Sequence, residues 1–137
     1  MVLSLFLMDA LDKIFTNQKD INPEILAELL EPYIRINVED NSTFLIEGGI
    51  NLPVHEKLLL FLLARKVLKI KELVEGEGIS PNDLVEETQL KEGSVHPGLK
   101  LLREKGLVVA KNGKYIVPNY QVLKIREIFN KRRSHGA

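Results

Sequence analysis

Cationic side chains with the spacing of one helix face lie between residues 94 and 105. His96, Lys100 and Arg103 recur every three or four residues, so a helix would project one of them from each turn. Positive side chains at this spacing suit contacts with phosphates and base edges. The alternative interpretation is that these side chains lie on an ordinary solvent-exposed helix face and bind no ligand. The apolar positions of another face are predicted to be core: Val95, Leu99 and Leu102.

No residue pattern predicts catalysis or a metal site. Serine, histidine and aspartate occur without the spacing of a triad, and Gly76-Glu77-Gly78 lacks the later glycine and lysine of phosphate loops. Glu86 and Glu87 are adjacent on a predicted helix and point in different directions. The chain has no cysteine, and three isolated histidines do not form a transition-metal site. We therefore expect a protein that is not an enzyme, with no catalytic residues, no metal and no cofactor.

A short helix is predicted to precede the cationic helix. Ser80 is a good N-cap, with Pro81 at the first helical position and Asp83 placed to complete a capping box. Gly93 is expected to let the chain turn sharply between the two helices.

The cationic helix itself is predicted to begin at a Ser94 cap and to end at Gly106. Pro97 would lie in its first turn, where backbone N–H groups lack helical partners. Asn112-Gly113 is a strong hairpin signal, since both positions accept a positive φ. Two strands are therefore expected on either side of it, over residues 107–117.

Two short helices, a tight turn and a hairpin over residues 80–118 form a helix-turn-helix followed by a wing. Over roughly residues 54–129 the chain thus resembles the winged-helix family of DNA-binding domains, of the archaeal and bacterial transcription-regulator type. The resemblance implies contact with double-stranded DNA through helix 94–105 and wing 107–117. It places these residues at the DNA: Ser94, His96, Pro97, Lys100, Arg103, Lys111, Asn112 and Lys114.

Two residues depart from the family pattern. Leu101 stands where a polar or charged residue is common, and Gly98 is expected to leave the middle of the DNA-reading face without a side chain. Winged helices also serve as protein-docking modules. The alternative function is therefore an interaction adaptor in a larger assembly, with Leu101 or the N-terminal helix as its contact.

The zero net charge of the chain hides an uneven distribution. Residues 1–53 carry three bases against nine acids, a net charge of −6, and residues 54–137 carry sixteen bases against ten acids, a net of +6. From Lys91 onward there are eleven bases and three acids. Such asymmetry favours nucleic-acid contact, although two solvated surfaces would also produce it.

The expected fold is α+β and mostly helical. Residues 1–53 are expected to form an N-terminal extension of helices and a β-hairpin, which packs on the rest of the chain. Residues 54–137 are expected to form a winged helix with a C-terminal helix. Strands are predicted at 33–38 and 43–46, a break at Gly48-Gly49, and a helix over 54–74 that is apolar almost all round and so buried on more than one side. Asn119 is expected to cap a last helix over 120–131.

An apolar helical stripe occupies residues 3–15. Because an exposed apolar helix is costly, it either packs on the domain or meets another chain. We expect a homodimer whose interface contains Leu3, Phe6, Leu7, Leu11 and Ile14, with the last helix as a further candidate element of the interface.

The first eight residues, Met1 to Met8, are apolar but too few to span a bilayer and lack the basic start of a signal peptide. A cytoplasmic protein without membrane contact is therefore expected. No pattern indicates a small-molecule effector, the DNA sequence or the sign of regulation, and Met8 is an alternative start.

Overall fold

The computed structural model describes Leu11 and residues 22–136, with side chains through Arg133. Its elements, in chain order, are α1 Pro23–Leu30, β1 Ile34–Ile36, β2 Thr43–Leu45, α2 Glu47–Ile50, α3 Val54–Ile70, α4 Pro81–Thr88, α5 Glu92–Glu104, β3 Val109–Lys111, β4 Lys114–Ile116, a 3-10 turn Asn119–Gln121, and α6 Val122–Gly136. The strands form two separate antiparallel hairpins, β1-β2 and β3-β4. The expected mostly helical α+β class is confirmed.

The N-terminal elements form where local signals predicted them. Asn22 Oδ1 accepts a hydrogen bond from the Glu24 backbone N at 2.9 Å, which satisfies a free N–H at the start of α1. Strands β1 and β2 pair in the register Ile34↔Leu45 and Ile36↔Thr43. Both strands are shorter than predicted.

Gly48 and Gly49 do not break the chain as predicted, but lie in the short helix α2. The helix presses on the segment between α1 and β1. A Cβ atom on Gly48 would lie 2.3 Å from the Pro32 carbonyl oxygen, and one on Gly49 would lie 2.7 Å from that of Tyr33. These glycines therefore permit close backbone packing, a reason that local sequence does not reveal.

Helix α3 is the centre of the core. All residues from Leu58 to Ala64 are buried, and the helix packs against α1, α4 and α5. Burial on several sides is thus confirmed, but α3 ends at Ile70 rather than at residue 74. The polar side chains of Glu56 and Lys66 are also buried, which the apolar pattern did not predict.

The N-terminal elements share one core with the C-terminal ones. The rings of Tyr33 and Phe129 lie 5.1 Å apart with a tilt of 52°. Beside them, Arg132 on α6 forms an ion pair of 2.7 Å with Glu56 on α3. The buried apolar cluster is continuous from Leu26 to Phe129. Residues 22–53 are therefore packed on the rest of the described chain.

Candidate nucleic-acid interface

The turn between α4 and α5 differs from its prediction. Gln89 adopts a left-handed conformation, φ 60°, at the end of α4 and reverses the chain there. Thr88 supports the turn, because its hydroxyl donates to the Leu84 carbonyl and accepts from the Leu90 backbone N at 3.2 Å. The turn is made by Gln89, and the expectation that Gly93 makes it is wrong.

Helix α5 begins at Glu92, earlier than predicted. Ser94 is therefore not the N-cap; Lys91 occupies that position without a side-chain hydrogen bond. Pro97 consequently lies in the second turn of the helix rather than the first. It cannot donate to the Gly93 carbonyl, but Gly93 is exposed, so water can hydrate that oxygen.

One face of α5 packs on α3. Val95, Leu99 and Leu102 are buried there, as predicted. Gly98 is also buried, and a Cβ atom on it would lie 2.7 Å from Leu58 Cδ1. Gly98 therefore belongs to the α3 contact, and the expectation that it leaves a gap in an outward face is wrong.

The other face of α5 is open to solvent. His96, Pro97, Lys100 and Arg103 are all exposed, whereas Ser94 and Leu101 are half-buried. The His96 Nε2 atom lies 3.7 Å from Glu92 Oε1, one turn earlier. Within the described residues, neither Lys100 nor Arg103 has an acidic side chain within 4.0 Å.

The β3-β4 hairpin forms at the predicted turn, where Asn112 has φ 54° and Gly113 has φ 76°. Lys111 and Lys114 are directly paired across the strands, and both are exposed, as is Asn112. Like charges opposite each other destabilise a strand pair. The hairpin thus concentrates positive charge at its tip at some cost to folding.

A third segment fixes the hairpin to the body of the protein, and sequence reasoning missed it. Ile79, immediately before Ser80, pairs with Tyr115 through two backbone hydrogen bonds of 3.0 and 2.8 Å. The preceding Gly78 allows this approach, since its Cβ would lie 2.9 Å from Lys114 Cβ. The hairpin is therefore attached to the start of α4.

A buried lysine supports this attachment. Lys66 is 1% exposed, and its Nζ atom donates to Glu77 Oε1 at 2.7 Å and to Asn119 Oδ1 at 2.5 Å. Asn119 accordingly does not cap a helix as predicted: it starts the 3-10 turn, and α6 begins at Val122. We name Lys66, Glu77 and Asn119 the Lys66 cluster.

The basic residues of the described chain differ in what they contact. Some hold the fold together: Lys66, Arg132, Arg65, which donates to the Gly76 carbonyl at 3.0 Å, and Lys69, which donates to the Glu75 carbonyl at 2.8 Å.

We name four bases the free cations: Lys100 and Arg103 on the outward face of α5, and Lys111 and Lys114 at the hairpin tip. The described part of the chain shows neither an ion pair nor a side-chain hydrogen bond for any of them. The same is true of other exposed lysines, among them Lys71, Lys91, Lys105 and Lys124.

The remaining predicted residues are those of the dimer interface. Leu11 is helical and 53% exposed. The other four, Leu3, Phe6, Leu7 and Ile14, lie outside the described residues.

A sizeable groove of about 450 Å³ lies away from α5, between α1, β1 and the end of α3. The cationic face therefore does not coincide with this pocket.

No family model, curated protein or solved structure matches this chain. Across the part of the chain that the structure describes, every helix falls short of the length and apolar content that crossing a bilayer requires.

Proposed function

We propose that the protein binds double-stranded DNA through the outward face of α5 and the β3-β4 hairpin, as a winged-helix transcription regulator. The observation that carries the proposal is the set of free cations. The fold uses Arg65, Lys66, Lys69 and Arg132 in internal contacts, whereas it leaves two bases exposed on the outward face of α5 and two at the hairpin tip: Lys100, Arg103, Lys111 and Lys114. Side chains of this kind bind phosphate groups without losing an existing partner.

The two elements have different roles in the proposal. Helix α5 presents His96, Lys100 and Arg103 from successive turns, so its outward face reaches phosphates and base edges in the major groove. The paired lysines at the hairpin tip contact the backbone beside it. The attachment of the hairpin through Ile79 supports this role, because it fixes the wing relative to α4 and α5.

Phosphate contacts then dominate the affinity. If each of the four free cations neutralises one phosphate, the salt dependence has a slope of about −3.6, since each contact contributes about −0.9. A fourfold rise in salt would therefore weaken binding roughly 100-fold.

A twofold protein would match two half-sites on DNA. We therefore propose that the regulator is a homodimer assembled through the apolar segment 3–15.

The direct test is fluorescence anisotropy with a labelled random duplex at low and moderate salt. The double variant Lys100→Glu, Arg103→Glu should bind at least about tenfold more weakly than wild type, because two attractive charges become repulsive. The matched control is Lys124→Glu, Lys131→Glu, which makes the same change in net charge at two exposed positions of α6.

Equal losses in both double variants would mean that only net charge matters, and the assignment of the α5 face would be wrong. No detectable binding of wild type at low salt would reject DNA binding and favour the protein-interaction adaptor. Unchanged thermal unfolding of the α5 variant is the required check that its fold is intact.

A further inference from the structure

The groove near α1 has apolar walls from three separate elements. Leu26 and Leu30 of α1, Ile34 and Ile36 of β1, and Val67 and Ile70 of α3 line it. Ile70 is 43% exposed, whereas Leu26, Leu30 and Ile34 belong to the buried core. Charged residues stand among the lining residues, notably Arg35 and Lys71. Apolar lining with charged neighbours is typical of a site that another apolar element covers.

We propose that the groove binds the apolar segment 3–15 of a second copy of this chain. Seven apolar positions recur at helical spacing between Leu3 and Phe15. The segment joins the described structure at Asn22, and the next residue, Pro23, is itself part of the groove wall. The continuous described chain therefore begins beside the groove wall.

Two observations favour a second copy over the segment's own chain. Leu11, in the middle of the stripe, is helical but 53% exposed, and it is not among the residues that line the groove. In the single chain, Leu11 of the stripe and Ile70 of the groove wall are thus both exposed. If each copy places its segment in the groove of the other, both segments and both grooves are covered, as a twofold interface requires.

Charge supports the same pairing. The segment and its connection carry Asp9, Asp12 and Asp20 against Lys13 and Lys19. The groove offers two bases against one acid, Glu31. The Arg35 guanidinium donates hydrogen bonds to the Glu31 and Ile34 carbonyl oxygens, which fix its position beside the groove. A net acidic segment is therefore attracted to a net basic groove.

This inference deepens the proposed homodimer and does not depend on DNA binding. Its first test exploits the absence of native cysteine. Two single variants, Leu11→Cys and Ile70→Cys, are mixed and treated with a short bismaleimide cross-linker, without DNA. The mixture should give a covalent dimer that joins the two different chains, whereas either variant alone should give much less.

The second test measures the dimer by sedimentation equilibrium. Ile70→Asp should raise the dissociation constant about tenfold or more, because a carboxylate in an apolar contact must lose its hydration. The matched control is Leu73→Asp, which changes another exposed leucine just beyond α3 that does not line the groove. The control should stay within about twofold of wild type.

A double variant Leu11→Cys, Ile70→Cys that cross-links only within one chain would overturn the proposal in favour of the segment's own chain. A wild-type protein that stays monomeric, or a dimer indifferent to Ile70→Asp, would also overturn it. Because these measurements contain no DNA, their failure is distinguishable from failure of the proposed DNA binding, which anisotropy tests separately.

Discussion

Replacing Lys66 with methionine tests how much the buried charge beside the hairpin attachment stabilises the fold. Lys66 is 1% exposed and holds Glu77 at 2.7 Å. Glu77 lies two residues before Ile79, which pairs with Tyr115 of β4. Methionine has a similar length but donates no hydrogen bond. The variant therefore removes the Lys66 cluster while it keeps the packing of the side-chain stem.

The magnitude follows from the exposure of the remaining partner. Removing one member of a fully buried ion pair costs about 3–5 kcal/mol, because the other charge stays buried without a partner. The Glu77 side chain is 25% exposed and regains part of its hydration. We therefore expect Lys66→Met to lower the free energy of unfolding by about 2 kcal/mol, or Tm by about 6–10 °C.

Urea denaturation followed by circular dichroism measures this change. The matched control is Lys69→Met, one turn of α3 later, where the exposed lysine donates only to the Glu75 carbonyl. It should cost less than about 0.5 kcal/mol. Adding Glu77→Gln to Lys66→Met should restore stability to within about 1 kcal/mol of wild type, since no unpaired charge remains.

A Lys66→Met protein as stable as the Lys69→Met control would refute the reasoning. The amino group of Lys66 would then add no stability beyond that of its aliphatic side chain. A double variant no more stable than Lys66→Met would show that the unpaired carboxylate is not the source of the loss.

Three further predictions concern single positions. Gly98→Ala should lower the free energy of unfolding by about 1–3 kcal/mol in urea denaturation, since its Cβ would lie 2.7 Å from Leu58 Cδ1. The control Gly93→Ala has open space around its Cβ and should cause no loss of stability. Equal effects of the two substitutions would contradict the packing argument. Gly113→Ala should cost about 1–2 kcal/mol, because φ is 76° there, and an unchanged Tm would count against the left-handed turn. Burial lowers the pKa of His55, so the unfolded chain takes up its proton first, and stability should fall as the pH drops below about 6.5. In His55→Gln the loss of stability caused by His55 protonation should disappear. A pH profile of stability identical to that of wild type would contradict this prediction.

Local signals predicted the elements well wherever one residue type has one backbone role. Asn22 and Ser80 cap α1 and α4, and the Ser80 hydroxyl accepts from the Asp83 backbone N at 3.2 Å. Gly106 ends α5 with φ 74°, and Asn112-Gly113 makes the hairpin turn. Such signals work from sequence because the side chain interacts with its own backbone within a few residues.

The same reasoning failed where a distant neighbour decides the role of a residue. The turn before α5 is made by Gln89, which has no strong preference for a left-handed conformation, while the nearby Gly93 is helical. Gly98 looked like a gap in the outward face, but the close approach of α3 is what requires it. A glycine at helical spacing with Val95 and Leu102 was the one available signal for that role.

The sequence by itself determined the mostly helical class, the order of most elements, and the apolar faces of α3 and α5, because periodicity and capping are properties of neighbouring residues. Only the tertiary structure decided which bases are free. In the sequence, Lys66 and Arg132 look like any other bases. Their acidic partners, Glu77 and Glu56, are 11 and 76 positions away along the chain. A charge becomes available to a ligand only when the fold gives it no partner, and partners that far apart in sequence meet only through packing.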